Sequence, residues 1–237
     1  RFNMPVDDNY TVSLLHFNGT DAATTFIDES GKTWTASGNA QLDTAQSKFG
    51  GASLLLDGAT DYISTPDSAD FNFSNGDFTI DFWFRAASTM DNFDTWFGIW
   101  NSTPANTNYI KFDYGTAGAI RFVVVAASAT VAEYTASSAQ TFTAGTWYHL
   151  AVVRSGTSVY IFKDGSSLTL TTGTAIGTSS LPDLTGAAVY GSDRANAGRD
   201  INGHIDEARV SKGIARWTAG FTPPSIEYSG SGFLMFF

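Results

Sequence analysis

The 237-residue chain contains no cysteine, which excludes a disulfide-stapled scaffold and any metal site built on thiolates. No apolar run is long enough to span a bilayer. The first residues, Arg1 to Pro5, do not show a charged start followed by the apolar core of a signal peptide. The 13 lysines and arginines are scattered, and the formal net charge is −10. Repulsion from phosphate therefore argues against a nucleic-acid partner.

Glutamate and helical periodicity are also scarce. The four glutamates are Glu29, Glu133, Glu207 and Glu227, and they are far apart in the sequence. No long segment repeats apolar residues at helical spacing. Most acidic residues are Asp, which favours turns because its carboxylate accepts hydrogen bonds from nearby backbone N–H groups.

Aromatic residues, in contrast, make up 14% of the chain, and 19 Phe stand against three Met, which indicates a rigid aromatic core. Short apolar segments alternate with Gly, Ser, Thr and Asn. The predicted strands are Val12–Phe17, Ser53–Leu56, Asp61–Ser64, Phe78–Arg85, Trp96–Trp100, Tyr109–Tyr114, Ala119–Val125, Trp147–Arg154, Ser158–Lys163, Ser167–Thr171, Ala187–Tyr190 and Ile201–Val210. Short strands separated by turn signals predict an all-β fold, a sandwich of two antiparallel sheets.

Three segments predict local structure in more detail. Phe78–Arg85 alternates, with its Phe and Ile residues on one face and polar residues and Trp83 on the other. Trp147–Arg154 is apolar on both faces, which is typical of a central strand covered on both sides. Val159–Leu168 predicts a hairpin, because Asp164-Gly165 supplies the positive φ that a tight turn needs.

The end of the domain is predicted from Gly203–Val210, whose alternation indicates a strand with Glu207 on one face and Asp206 on the other. Ser211–Trp217 predicts one short helical turn, ended before Pro223 and Pro224. The predicted organisation is an N-terminal arm over residues 1–11, one domain over 12–224, and a linker with an apolar tail over 225–237. The tail ends in Phe233, Leu234, Met235, Phe236 and Phe237, which either fold back on the domain or dock on another chain.

Seven motifs in order carry a family resemblance: Leu14–Gly19, Phe49–Leu54, Leu56–Ile63, Phe78–Phe84, Trp147–Val153, Tyr160–Gly165 and Ile205–Val210. From Val12 to Pro224 the chain resembles the laminin-G-like, concanavalin A-like lectin/glucanase jelly-roll domains. Asp28–Trp34 and Ala215–Thr218 resemble versions found in bacteriophage structural proteins. The resemblance implies an antiparallel jelly-roll sandwich in which glycans, where bound, sit on the concave face or on rim loops.

The resemblance also implies a structural calcium ion that bridges early loops to the last strand. The positions that match are Asn18, Asp57, Gly58 and Asp206, and calcium prefers such oxygen ligands. The alternative is that Asp206 accepts hydrogen bonds from backbone N–H groups and locks the sheet closed.

Related glycosidases place paired glutamates on one strand, as nucleophile and general acid. This chain has no such pair, and adjacent Asp206 and Glu207 should face opposite sides of a strand. Asp91 and Asp94 share a loop but have no supporting partner. The three histidines have no zinc-site spacing. The sequence therefore predicts that the protein is not an enzyme.

Saccharide binding combines aromatic rings with amide, carboxylate or Arg hydrogen bonds. Two loop regions offer this mixture, one beginning at Asp91 and one spanning Tyr190–Asp200. The candidate ligand-binding residues are Trp96, Trp100, Asn101, Tyr109, Asp193, Arg194, Asn196, Arg199 and Asp200. The alternatives are core packing for the two Trp residues and a self-paired solvated turn for the second loop.

These observations predict a non-enzymatic adhesion or decoration module of a phage virion or similar assembly that binds glycans. It would lie on a virion surface or outside the cell. Its partners would be other virion proteins or copies of itself, together with cell-surface or polysaccharide glycans. The alternative is a glycan-binding module of a secreted carbohydrate-active protein, and an enzyme is the third possibility.

Overall fold

The computed structural model describes residues 8–101, 103 and 105–228. The strands are β1 (Thr11–Leu15), β2 (Thr25–Ile27), β3 (Thr33–Ser37), β4 (Gln41–Asp43), β5 (Ser53–Asp57), β6 (Tyr62–Thr65), β7 (Phe78–Ala86), β8 (Asp94–Trp100), β9 (Tyr109–Tyr114), β10 (Ile120–Ala126), β11 (Ala129–Ala136), β12 (Trp147–Ser155), β13 (Ser158–Lys163), β14 (Ser166–Ser167), β15 (Leu170–Thr174), β16 (Ala188–Tyr190) and β17 (Asn202–Lys212). In this described part, the helical elements are two three-residue 3-10 turns, Ala69–Phe71 and Thr116–Gly118, and no helix there is long and apolar enough to cross a membrane.

The strands form two antiparallel sheets. The eight-stranded sheet has the order β14-β13-β12-β7-β17-β5-β4, and β1 also pairs with β17. The nine-stranded sheet has the order β15-β11-β10-β9-β8-β16-β6-β3-β2. The predicted all-β, two-sheet antiparallel jelly-roll sandwich is confirmed.

The core fills the space between the sheets with aromatic side chains. As predicted, Phe78, Ile80, Phe82 and Phe84 of β7 face this core. Trp96 of β8 lies among them, with its ring centroid 5.5–5.6 Å from those of Phe84, Phe112 and Phe142. Such edge-to-face and tilted pairs add to the stabilisation that burial provides.

The central strand β12 is covered on both faces, as predicted. Its outer residues Ala151 and Val153 form a small second cluster with Phe162. The C-terminal segment covers this cluster with Trp217 and Phe221, whose rings stack at 3.9 Å. This burial explains why the predicted helical turn over Ser211–Trp217 is wrong: β17 continues to Lys212, and an irregular segment then packs Trp217 and Phe221 on the sheet.

The facing predicted for β17 is also wrong. A β-bulge between Asp206 and Arg209 shifts the register against β7, and Glu207 has a positive φ of 50°. The extra residue places both Asp206 and Glu207 on the outer side, while Ala208 and Val210 face the core. Adjacent carboxylates therefore share one surface.

The β13–β14 hairpin turns at Asp164 and Gly165, with φ values of 51° and 75°, which is the predicted positive-φ turn. A Cβ at Gly165 would lie 1.9 Å from the carbonyl oxygen of Phe221, so only glycine lets the C-terminal segment pass here. Contacts with the domain extend beyond the predicted boundary at 224, to the buried Tyr228. The apolar tail Phe233–Phe237 lies outside the described residues.

Candidate functional site

The outer face of the nine-stranded sheet carries one tryptophan laid across the strands. Trp100 ends β8, and a Cβ at Gly98 would lie 2.4 Å from its Cη2 atom. The indole therefore rests on the bare backbone of Gly98. The ring is 1% exposed, and its Nε1 has no hydrogen-bond partner among the described residues.

A pocket of about 180 Å³ opens beside this ring. Its lining residues are Tyr62, Ser64, Trp100, Asn101, Ala187, Val189 and Arg194. Register explains the convergence: Val189 of β16 pairs with Ser64 of β6 on one side and with Gly98 of β8 on the other. The guanidinium of Arg194 lies 4.0 Å from the Tyr62 ring centroid.

An ionic network stiffens the sheet next to the pocket. Lys111 Nζ lies 2.9 Å from Asp193 Oδ2, and Arg199 donates to the same oxygen at 3.2 Å. Arg121 binds Asp113 through two hydrogen bonds of 2.9 and 2.7 Å. Burial alone would raise the pKa of Asp193, but the charge and hydrogen bond of Lys111 outweigh burial and lower it. The network therefore holds a charged Asp193 and the loop that carries it.

The structure distributes the nine predicted ligand residues over several roles. Trp100, Asn101 and Arg194 line the pocket. Asp193, Arg199 and Asn196 form the self-paired turn given as the alternative in the sequence analysis. Three further residues lie away from the pocket lining: Tyr109 beneath Lys111, Asp200 on the backbone N–H of Thr60, and Trp96 in the core. Trp96 is 0% exposed, so its prediction as a ligand residue is wrong.

Four pocket residues were not predicted from the sequence: Tyr62, Ser64, Ala187 and Val189. They come from β6 and from the start of β16, which lie far apart in the sequence. The available signal was the alternation of Asp61–Ser64, which places Tyr62 and Ser64 on one face.

The residues predicted to bind calcium occupy two regions. Asp206 accepts hydrogen bonds from the backbone N–H groups of Lys48, Phe49 and Glu207, at 2.7, 3.1 and 2.9 Å. This is the alternative arrangement, in which Asp206 closes the sheet. Asn18 lies close to it and donates to Glu227 at 2.7 Å.

Asp57 and Gly58 lie elsewhere, at the end of β5 beside Asn202. Across residues 8–101, 103 and 105–228, no three His, Asp or Glu side chains are grouped to hold a metal ion. The predicted quartet therefore does not form one coordination site, and calcium binding stays a prediction.

A second, more open pocket of about 580 Å³ lies at this end of the eight-stranded sheet, and His16 lines it. His16 Nδ1 lies 2.7 Å from Glu207 Oε1. Burial alone would lower the pKa of His16, but the hydrogen bond and charge of Glu207 raise it. Burial also raises the pKa of Glu207 and raises that of Asp206 to about 8.

These shifts predict a pH-dependent stability. A raised folded-state pKa means that His16 stabilises the protein fully below about pH 6.5, and that this contribution is lost as the pH rises through the folded pKa. We expect the His16→Gln variant to lose free energy of unfolding less steeply than the wild type between about pH 6.5 and 8.5. Urea unfolding at several pH values measures this slope.

The matched control is His204→Gln. Burial lowers the pKa of His204 despite its contact with Asp43 at 2.8 Å, so its contribution has the opposite sign and is lost as the pH falls. The Asp206 contribution is common to both variants and cancels in their comparison. If the free energy of unfolding changes equally with pH in the wild type and in His16→Gln, His16 is not the source of this pH dependence.

Comparison with known proteins gives a family and several similar folds. The chain matches the Concanavalin A-like lectin/glucanases superfamily over residues 57–216. No curated protein matches it. Domain 4 of AbnA, a GH43 extracellular arabinanase from Geobacillus stearothermophilus solved in complex with arabinotriose, is similar at a TM-score of 0.66 and 16% identity. The match covers 88% of this chain and 95% of that domain.

Two larger proteins contain a similar fold. The binding domain of Paraclostridial Mosquitocidal Protein 1 matches at a TM-score of 0.61 and 14% identity, over 87% of this chain and 50% of that one. Trypanosoma rangeli sialidase in complex with sialic acid matches at 0.60 and 14% identity, over 88% and 32%. The chain thus spans half or less of these two proteins, and identities this low establish the fold alone.

Proposed function

The chain belongs to the concanavalin A-like lectin/glucanase superfamily, and from this premise we propose that it is a saccharide-binding module without catalytic activity. Its site is the pocket on the outer face of the nine-stranded sheet, between Tyr62, Trp100 and Arg194.

The observation that carries the proposal is the chemistry of this pocket. Tyr62 supplies the half-buried ring at its edge, the buried Trp100 backs the lining, and Ser64, Asn101 and Arg194 add polar groups. Sugars present an apolar C–H face, which packs on rings, and hydroxyl groups, which need fixed hydrogen-bond partners. Both requirements are met within one small depression.

The proposal of binding without hydrolysis is supported by the ion pairing of the carboxylates near the pocket. Asp193 and Asp113 are paired with Lys111, Arg199 and Arg121, and no carboxylate is among the pocket-lining residues that the structure describes. In most glycosidases, acid–base cleavage uses two carboxyl groups that flank the bond.

The similar structures agree with this class of ligand, since the arabinanase domain was solved with arabinotriose and the sialidase with sialic acid. Attachment to a larger assembly such as a phage virion is the more specific part of the proposal. It rests on the sequence motifs Asp28–Trp34 and Ala215–Thr218.

Backbone amide NMR shifts during titration test the location of the site. The probes are arabinotriose, cellotriose, xylotriose and trigalacturonate. We expect at least one of them to shift amides of residues 62–64, 100–101, 187–189 and 194, which lie at the pocket. Shifts confined to the outer face of the eight-stranded sheet, or none with any probe, would overturn the proposal.

A further inference from the structure

We propose that the pocket selects anionic saccharides, whose carboxylate or sulfate group pairs with Arg194. This inference rests on the proposed saccharide-binding function and names the class of sugar that the same site takes.

Arg194 differs from its basic neighbours because it has no acidic partner among the residues that the structure describes. Lys111, Arg121 and Arg199 each form ion pairs with Asp113 or Asp193. Arg194 is exposed and forms no ion pair within the described part of the chain, and its guanidinium lies 4.0 Å from the centroid of the Tyr62 ring. A guanidinium stacked on an aromatic ring keeps its N–H edge free.

The rest of the pocket offers donors and no negative charge. The lining contains Ser64, Asn101 and the Tyr62 hydroxyl, with no Asp or Glu among the described lining residues. Serine hydroxyl and asparagine amide groups donate hydrogen bonds, so these residues suit an acceptor-rich ligand.

The charge of the whole chain makes this arrangement selective. At a net charge of −10, the protein repels polyanions in general. An anionic sugar therefore gains binding free energy only at a site where a cation faces its charged group. Carboxylates and sulfates accept two parallel hydrogen bonds from one guanidinium, and such charge-assisted pairs are the stronger ones. Arg194 supplies these two parallel N–H donors at the rim of the pocket.

Calorimetric titration of the full chain tests the inference, using trigalacturonate and its methyl ester, in which neutral ester groups replace the carboxylates. We expect the wild type to bind the acid at least about tenfold more tightly than the ester. Arg194→Gln should lose this preference. Arg194→Lys should keep part of it, because Lys retains the positive charge but lacks the two parallel N–H donors of the guanidinium.

The matched control is Arg85→Gln. It removes the same charge from the eight-stranded sheet, where Arg85 donates to the carbonyl of Gly145 at 3.1 Å, and it should keep the preference. A sulfated galactose trisaccharide distinguishes sulfate from carboxylate as the preferred group. If it binds more tightly than trigalacturonate, and this binding depends on Arg194, the site prefers sulfate. If it binds more weakly, the site prefers carboxylate. Either result supports the inference.

Equal affinity of the wild type for acid and ester would overturn the inference while leaving saccharide binding intact. An acid preference that survives in Arg194→Gln would overturn it as well. Absence of binding to acid, ester and the neutral trisaccharides would overturn the proposed function itself.

Discussion

Replacing Arg209 by Met should destabilise the protein by about 3–5 kcal/mol, because it leaves a buried carboxylate without its partner. Arg209 binds Asp81 through two hydrogen bonds of 3.0 and 3.1 Å, and both side chains are buried. Tyr228 completes the cluster by hydrogen bonding to both of them. The pair joins β7 to β17 beneath the C-terminal segment.

The charge state of Asp81 explains the size of the effect. Burial alone would raise the pKa of Asp81, but Arg209 and His149 outweigh burial and hold it well below its usual range. Asp81 therefore stays ionised in the folded protein at neutral pH. Without Arg209, the chain must either bury this charge or protonate it, and both cost free energy. Urea unfolding followed by tryptophan fluorescence measures the loss.

The control variant is the double substitution Asp81→Leu with Arg209→Met, which removes both charges and should recover most of the stability. A second control, Lys32→Met, breaks a pair with Asp70 that is partly exposed and should cost less than about 1 kcal/mol. If Arg209→Met costs no more than Lys32→Met, the buried cluster does not hold the sheet as described.

Much of the fold follows from two-residue alternation. In β7 the pattern from Phe78 to Phe84 identified the core face, because a strand buried on one side alternates apolar with polar residues. The Asp164-Gly165 turn was predictable for an equally local reason, the need for positive φ.

In contrast, four strands were missed: Thr25–Ile27, Thr33–Ser37, Gln41–Asp43 and Ala129–Ala136. The three-residue strands are too short to show a period, and the core face of Ala129–Ala136 consists of Ala132, Tyr134 and Ala136, which gives little apolar contrast. The predicted strand Ser167–Thr171 is wrong, because its residues divide between Ser166–Ser167 and Leu170–Thr174, which lie in different sheets.

β-Bulges explain why strict alternation predicts the wrong sheet face for some side chains. Strict alternation would put Trp96 and Trp100 on the same face of β8, but the register shifts between Thr95 and Phe97. Trp96 and Phe97 consequently both enter the core, and Trp100 lies on the outside over Gly98. An extra residue has no signature in composition or hydropathy, so the sequence could not separate these tryptophans.

The candidate site depends on cross-strand register, which explains why it was predicted only in part. Trp100, Asn101 and Arg194 were identified because they belong to loops rich in aromatic and polar residues. Tyr62 and Ser64 join them only because β16 inserts between β6 and β8. That strand order is a property of the whole sheet and is absent from any local pattern.

Replacing Tyr62 by Ala should weaken saccharide binding at least about tenfold, a loss of roughly 1.4 kcal/mol or more. The substitution removes an aromatic wall of the pocket and also the ring on which Arg194 is stacked. Tyr62 is half-buried at the edge of the pocket, so its loss should leave the fold intact. Far-ultraviolet circular dichroism and the urea midpoint verify this.

Tyr160→Ala is the matched control, since Tyr160 is a half-buried tyrosine packed against the Trp217–Phe221 cluster on the eight-stranded sheet. The affinities of wild type, Tyr62→Ala and Tyr160→Ala for the tightest-binding trisaccharide of the NMR panel locate the binding face most directly. We expect Tyr62→Ala alone to lose affinity. Unchanged binding by Tyr62→Ala, together with a loss in Tyr160→Ala, would place the saccharide on the opposite sheet and contradict the proposed site.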